Sequence, residues 1–346
     1  MLYSAICLAP LILLPYLVNA ASSISPDGVP IGSLVPAIHK TGSKTDFATI
    51  FSSIKSFKPH KQSARTFRKR DTVTPPALFE ETFGPISAAN NADGYMGFEL
   101  LSTYDVNACA QQCNTRAFDE TSGPCIFFNI WQAVVNGTPS AITCSLYNTF
   151  TDASTATNTG QGTLQISLSR GFSRISNVQD GSFQDYTCVV TQQNGCPAEP
   201  SDFWTRVFVE SYDFVLVDNF PAHSGTSSCF LFFNPPDPTS PAFGSTLTYT
   251  PPLNTVAGQK YIISFFYTLN TLSPPPTTTD GPLFSVFWNN EDVLDVLQVG
   301  TEISSAYLNG QVEVTATGDD TLFFKNGVSF SHASYLDDIA VFQKWT

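Results

Sequence analysis

Charge is scarce in this 346-residue sequence. Only 13% of residues are Asp, Glu, Lys or Arg, and helical periodicity is nowhere evident in the second half of the chain, so coiled-coil and long-helix classes are excluded. Cations are scarcer still, 16 Lys and Arg against 29 acidic residues, and they do not cluster beyond residue 70. Counterion-release binding to nucleic acid needs a basic patch, so nucleic acid is excluded as a partner. After an apolar stretch at residues 6–18 there is no run of the roughly 20 apolar residues that a membrane-crossing helix requires, so no membrane partner is expected. A Gly-rich phosphate loop is also missing.

What is present is apolar and aromatic. Residues of the apolar set make up 42%, and Phe alone occurs 29 times. With 24 Pro and 21 Gly to punctuate it, such a chain reads as β-rich, and its length allows two domains. Residues 1–20 end in Val18-Asn19-Ala20 after the apolar stretch, the pattern of a cleaved secretory signal. Residues 21–70 hold nine Lys or Arg against two Asp, no cysteine and few aromatics, so they are expected to bury little and to form a disordered propeptide. The segment ends in Arg68-Lys69-Arg70, where Lys69 and Arg70 resemble the dibasic site of kexin-type proteases. Cleavage there leaves 7 of the 16 Lys or Arg but 27 of the 29 acidic residues, a net charge of −20.

The region 77–175 is expected to form a small α+β domain. Asp105 is an N-cap for a helix whose Cys109 and Cys113, four residues apart, share one face. Strands rich in β-branched and aromatic residues follow at Cys125 to Trp131 and Thr143 to Tyr147. In an oxidising pathway these four cysteines read as disulfides, and the residues alone allow three connectivities. A zinc knuckle would have two residues between ligands and a histidine nearby, which this segment does not. The arrangement resembles the PAN/Apple module over about residues 78–170. That resemblance implies nested pairs, Cys113 with Cys125 and Cys109 with Cys144. Asn136-Gly137-Thr138 is the sole glycosylation sequon and falls between the two cysteine strands, where a surface loop is expected.

The region 176–346 is expected to be an all-β sandwich. Val312, Val314 and Ala316 alternate with polar neighbours, and further strands read at 206–210, 229–233, 245–250, 260–268, 283–288, 293–298, 321–325 and 335–343. The ordered series Asp180-Gly181-Ser182-Phe183, His223-Ser224-Gly225, Pro252 to Tyr261 and Tyr335-Leu336-Asp337-Asp338-Ile339 resembles galactose-binding-like jelly rolls. These include carbohydrate-binding modules and secreted fungal domains. Relatives often carry Glu after the opening Phe, as part of a structural calcium site; Gln184 stands there instead, so no metal or other cofactor is expected. Cys188 and Cys196 are expected to pair across a small loop, leaving Cys229 buried and reduced; the alternative pairs Cys196 with Cys229 and leaves Cys188 an exposed thiol.

Catalytic constellations are not evident. His223 and His332, beyond residue 70, have no third group at suggestive spacing for a hydrolase triad and read as loop residues. Asp337 and Asp338, as strand neighbours, are expected to point to opposite faces of a sheet. Sugar binding by such sandwiches uses aromatic platforms and amides, for which Trp204, Trp288, Tyr307 and Asn289 are the candidates, with Asn290 and Gln298 nearby. The resulting expectation is a secreted, extracellular or cell-wall, non-catalytic protein that binds glycans or cell-wall polysaccharide. The alternative is a structural or adhesive protein whose partners are extracellular proteins.

Overall fold

The computed structural model of the chain describes residues 35–36, 47–56, 73–116, 123–185, 202–207, 213–218, 222–233, 244–270, 282–297, 307–327 and 332–345. Residues 1–20, Lys69, Arg70, Cys188, Cys196 and Gln298 lie outside these, and so do the expectations attached to them. Among the described residues no helix is long and apolar enough to cross a membrane.

The first region contains β1 (Val35–Pro36), α1 (Phe47–Ser56), β2 (Phe79–Ile86), β3 (Tyr95–Leu101), α2 (Val106–Thr115), β4 (Phe127–Val135), β5 (Thr138–Tyr147), β6 (Gly160–Gln161) and β7 (Leu164–Arg174). The strands form one antiparallel sheet in the order β1-β3-β5-β4-β7-β2, with β6 added to β7. β4 and β5 join through Asn136 and Gly137, both at positive φ, the backbone a tight two-residue hairpin turn requires. Asn136 is exposed at its tip.

Both faces of this sheet are apolar, because residues alternate along each strand and both sides are covered. On one face Phe128, Ile130, Leu146 and Phe172 pack against Val106 and Ala110 of α2. Asp105 caps that helix, its carboxylate accepting from the amides of Asn107 (2.9 Å) and Ala108 (3.2 Å). The helix is then stapled by disulfides Cys109–Cys144 and Cys113–Cys125, with Cα separations of 5.6 and 5.1 Å. On the other face Phe127, Trp131, Ala133 and Tyr147 pack against Ile50 and Ile54 of α1.

That second contact corrects an expectation. Residues 21–70 were expected to be disordered, yet α1 is a regular helix with Ile50 and Ile54 at 0% and 1% exposure. Composition averaged over 50 residues hides a ten-residue amphipathic stretch, whose two isoleucines one turn apart, with Phe51 beside them, face the sheet.

The second region is a sandwich of two five-stranded antiparallel sheets, compatible with a jelly roll. Its strands are β8 (Trp204–Val207), β9 (Asp213–Asp218), β10 (Ser228–Phe233), β11 (Thr246–Tyr249), β12 (Lys260–Asn270), β13 (Pro282–Trp288), β14 (Glu291–Leu297), β15 (Leu308–Thr315), β16 (Leu322–Asn326) and β17 (His332–Gln343). One sheet runs β15-β12-β17-β10-β9 and the other β14-β13-β16-β11-β8. All but β9 overlap strands read from period-two alternation or apolar content, the expected strand 206–210 meeting β8 only at residues 206 and 207 and otherwise lying outside the described residues. Between the sheets, Phe265 meets Phe324 and Phe284 edge to face at centroid distances of 5.4 and 5.7 Å. Cys229 is buried in the same core, and burial pushes its thiol pKa up.

The two regions touch through β17. Ile126 packs with Ile262, Ala340 and Phe342. The Arg174 guanidinium lies between the rings of Phe79 and Phe342, 5.0 and 4.9 Å from their centroids. Asn177 donates its amide to Val341 O at 2.7 Å. Gly123 sits at φ +61 so close to β12 that a Cβ would lie 2.8 Å from Phe266 Cζ. The first region therefore covers part of the outer face of the β12-containing sheet.

Candidate functional site

Three of the four sequence pieces quoted for the sandwich, separated by up to about 160 residues, converge at one place. The meeting point is a bulge in β17. Ser264 of β12 pairs with Ala340 and Phe266 with Asp337, so two residues of β17, Asp338 and Ile339, oppose Phe265 alone. Asp338 takes φ 48 there. The opening turn docks on the bulge, Ile339 donating its amide to Gly181 O at 2.9 Å. Only glycine fits at 181, since a Cβ would lie 1.8 Å from Ile339 O.

The bulge corrects the expectation that Asp337 and Asp338 face opposite ways. Both carboxylates reach the His223-Ser224 loop. Asp337 Oδ2 accepts from the amides of His223 (2.7 Å) and Ser224 (3.0 Å). Asp338 Oδ2 lies 2.6 Å from His223 Nδ1, and Ser224 Oγ donates to Asp338 Oδ1 at 2.7 Å. Strict alternation fails because the extra residue turns the second side chain to the side of the first. Burial and the neighbouring Asp338 charge raise the Asp337 pKa well above the usual carboxylate range, against the pull of the amides it accepts from.

His223 is accordingly not a free loop histidine. Its ring stacks on Phe266 at 3.6 Å between centroids, 9° from parallel, and meets Tyr307 edge-on at 5.5 Å. A serine, a histidine and two carboxylates thus meet, but in the wrong order for acyl transfer. Asp338 holds the imidazole and the hydroxyl at once, whereas a triad places the imidazole between carboxylate and hydroxyl. Chemically the group is a latch that ties the 222–226 loop to β17.

Gln184 completes the latch. Its Nε2 donates to Ser182 O (2.6 Å) and Ser227 O (3.3 Å), and its Oε1 accepts from Thr226 N (3.0 Å). A calcium ion needs oxygen ligands all round it. Here an amide donor already engages two carbonyl oxygens, so the residues present do not fit that ion. Among the described residues no three or more His, Cys, Asp or Glu side chains form a metal-ligating group.

The candidate ligand residues fare differently from one another. Trp204 is fully buried between Phe183, Tyr249 and Phe324, its indole donating to Asp180 O at 3.1 Å. Trp288 lies in the same core. Neither can offer a ring face to a ligand, and the correction has a simple cause: large rings at inward strand positions fill the sandwich. Asn289, at φ 51 in the β13–β14 turn, is a brace; it donates to Asp320 and to Thr317 Oγ1 (3.1 Å) and accepts from Thr321 N (2.9 Å). Tyr307 does belong to the outer face, clustered with Phe266, Tyr335 and Phe230. Burial, with the charges of Asp337 and Asp338, pushes its phenol pKa up.

Residues overlooked in the sequence are Phe230 and Phe232 of β10. Cys229 and Leu231 point into the core, so Phe230 and Phe232 point out, where both are half-buried. Tyr335 is the cross-strand partner of Phe230, their rings 4.9 Å apart, and Phe232 follows at 5.9 Å. The period-two signal was present, masked by a run in which every residue is apolar.

No protein-family model matches the sequence, and no curated protein matches it. Solved structures do. The xylan-binding domain CBM22-1 of Paenibacillus barcinonensis Xyn10C is 17% identical over 48% of this chain and 93% of its own, with a TM-score of 0.29. TmCBM61, solved with β-1,4-galactotriose, is 12% identical over 49% and 99%, TM-score 0.31. The N-terminal cellulose-binding domain of Cellulomonas fimi β-1,4-glucanase C is 14% identical over 42% and 90%, TM-score 0.27. At these values the likenesses decide neither the topology nor the ligand.

Proposed function

We propose that the chain is a secreted, non-catalytic recognition protein that binds carbohydrate of a cell wall or extracellular matrix, with its contact surface on the outer face of the β12-containing sheet. One observation carries the reading: Phe230 pairs across strands with Tyr335 on that face and Phe232 follows two residues along β10, with Phe230 and Phe232 half-buried. Pyranose rings present C–H faces that pack on such π surfaces. The latch supports the same reading, because it ties the loop that leads into β10 to β17, the two strands that carry these rings, and a pre-ordered surface loses little freedom when it binds. Two disulfides suit an oxidising compartment. The first region retains its PAN/Apple-like reading as part of this proposal.

The test is binding of the purified protein to an array of polysaccharides and glycans, with Phe230→Ala and Phe232→Ala beside the core change Leu231→Val. Tenfold or greater weakening by either Phe change, with Leu231→Val near parent affinity, is expected; retention unchanged by both Phe variants overturns the assignment. A second reading, protein contacts, is favoured by Ile126 already packing on Ile262, Ala340 and Phe342 of this sheet. Binding to no glycan, with saturable binding to extracellular proteins, would establish it. Reducing sugar accumulating with time would overturn the non-catalytic part.

A further inference from the structure

The first sheet is closed on its two faces by unequal means. α2 is fixed by two disulfides. α1 has no such bond, because residues 21–70 contain no cysteine. It is held by Ile50 and Ile54, wholly buried among Phe127, Trp131 and Tyr147, while β1 extends the same sheet through Val35↔Phe98 and Pro36↔Gly97. The covalent link from this cover to the body runs through Arg68-Lys69-Arg70.

We propose that the segment carrying β1 and α1 stays seated after cleavage at Arg70, so that the mature protein is a noncovalent complex of two chains. Two observations favour retention over release. Removing α1 would take Ile50 and Ile54 away from the core they share with Phe127, Trp131 and Tyr147, and soluble monomers rarely expose large apolar patches. The charges also match: residues 21–70 carry nine cations against two anions, and residues 71–346 carry seven cations against 27. Cleavage removes only the tether, which supplies effective concentration, and leaves every contact and this attraction in place. The segment is then a structural layer of the first region, and a leader only by position.

The experiment uses the full chain with the recognition sequence of a specific protease inserted after Arg70, so that cutting goes to completion. Native mass spectrometry and size-exclusion chromatography follow, at 50 mM and 500 mM NaCl. The expected result is one species carrying both chains at low salt, separable under denaturing, non-reducing conditions. High salt and Ile54→Asp should each weaken retention at least tenfold. Separation of the unaltered fragment from a folded, soluble body at 50 mM NaCl overturns the proposal, as does retention that Ile54→Asp leaves unchanged. Should Ile54→Asp fail to fold, Ile54→Ala and competition by a synthetic peptide of residues 34–56 supply the same readout: displacement supports the seat, and no displacement at excess peptide overturns it.

Discussion

Glu99 in the first sheet and Asp320 in the sandwich are carboxylates buried to similar depth, 4% and 0% exposed, and their surroundings are opposite. Asp320 accepts from Thr317 N and Oγ1, Gly318 N, Thr255 Oγ1 and Asn289 Nδ2. Burial alone would raise its pKa, but those donors outweigh it and hold the carboxyl at about 2. Among the described residues Glu99 Oε2 has no hydrogen-bond partner, and burial raises that carboxyl to about 7. The donors on Asp320 come from the β13–β14 turn (Asn289), the β15–β16 turn (Thr317 and Gly318) and the loop before β12 (Thr255), so one carboxylate ties three connections of the sandwich together. The first sheet leaves the Glu99 oxygen without such donors, and two disulfides offset such a cost by restricting the unfolded chain.

That contrast can be broken most forcefully at the disulfides. Replacing Cys109 and Cys144 together by Ala removes a closure across 35 residues and should cost the first region about 4 kcal/mol. Thermal unfolding followed by calorimetry reads it: the transition of the sandwich should move by less than about 1 kcal/mol equivalent, and equal movement of both would merge the two regions into one cooperative unit. Asp320→Ala should cost about 2 to 3 kcal/mol at pH 7, since it strands several buried donors. Because the folded carboxyl titrates at about 2, below its ordinary value, its contribution is complete above the usual carboxylate range and is lost as pH falls toward 2. Urea denaturation at pH 7 and pH 2 should show a difference between parent and variant that shrinks with acid. The smallest effect has the opposite sign. Glu99 holds its proton in the folded state up to about pH 7, whereas the unfolded chain releases it near 4.5, so stability falls as pH rises between those values. Glu99→Gln should be about 2 kcal/mol more stable than the parent at pH 8 and indistinguishable at pH 4, measured in the same way.

Local signals carried much of the fold. Asp105 with Cys109 and Cys113 marks a capped helix within nine residues, and Val312, Val314 and Ala316 mark a strand within five, because capping and alternation are properties of contiguous backbone. α1 escaped, since its two seating isoleucines were averaged into a polar, basic segment. β9 escaped because Asp213 to Asp218 lies in a stretch without turn signals at both ends.

The candidate site was legible only as an ordered series of pieces. Which aromatic rings face outward depends on which strand face the core takes, and that choice buried Trp204 and Trp288 and left Phe230 and Phe232 half-exposed. Whether Asp337 and Asp338 diverge or converge depends on one extra residue opposite Phe265, which the pairing of β12 with β17 imposes. Sequence by itself determined the composition class, the helix cap, the alternating strands and the cysteine cluster, all written within a few neighbouring residues. Tertiary structure alone decided the latch of Gln184, His223, Ser224, Asp337 and Asp338, the outward aromatic row and the seat of α1, because long-range register brings together groups that no local spacing relates.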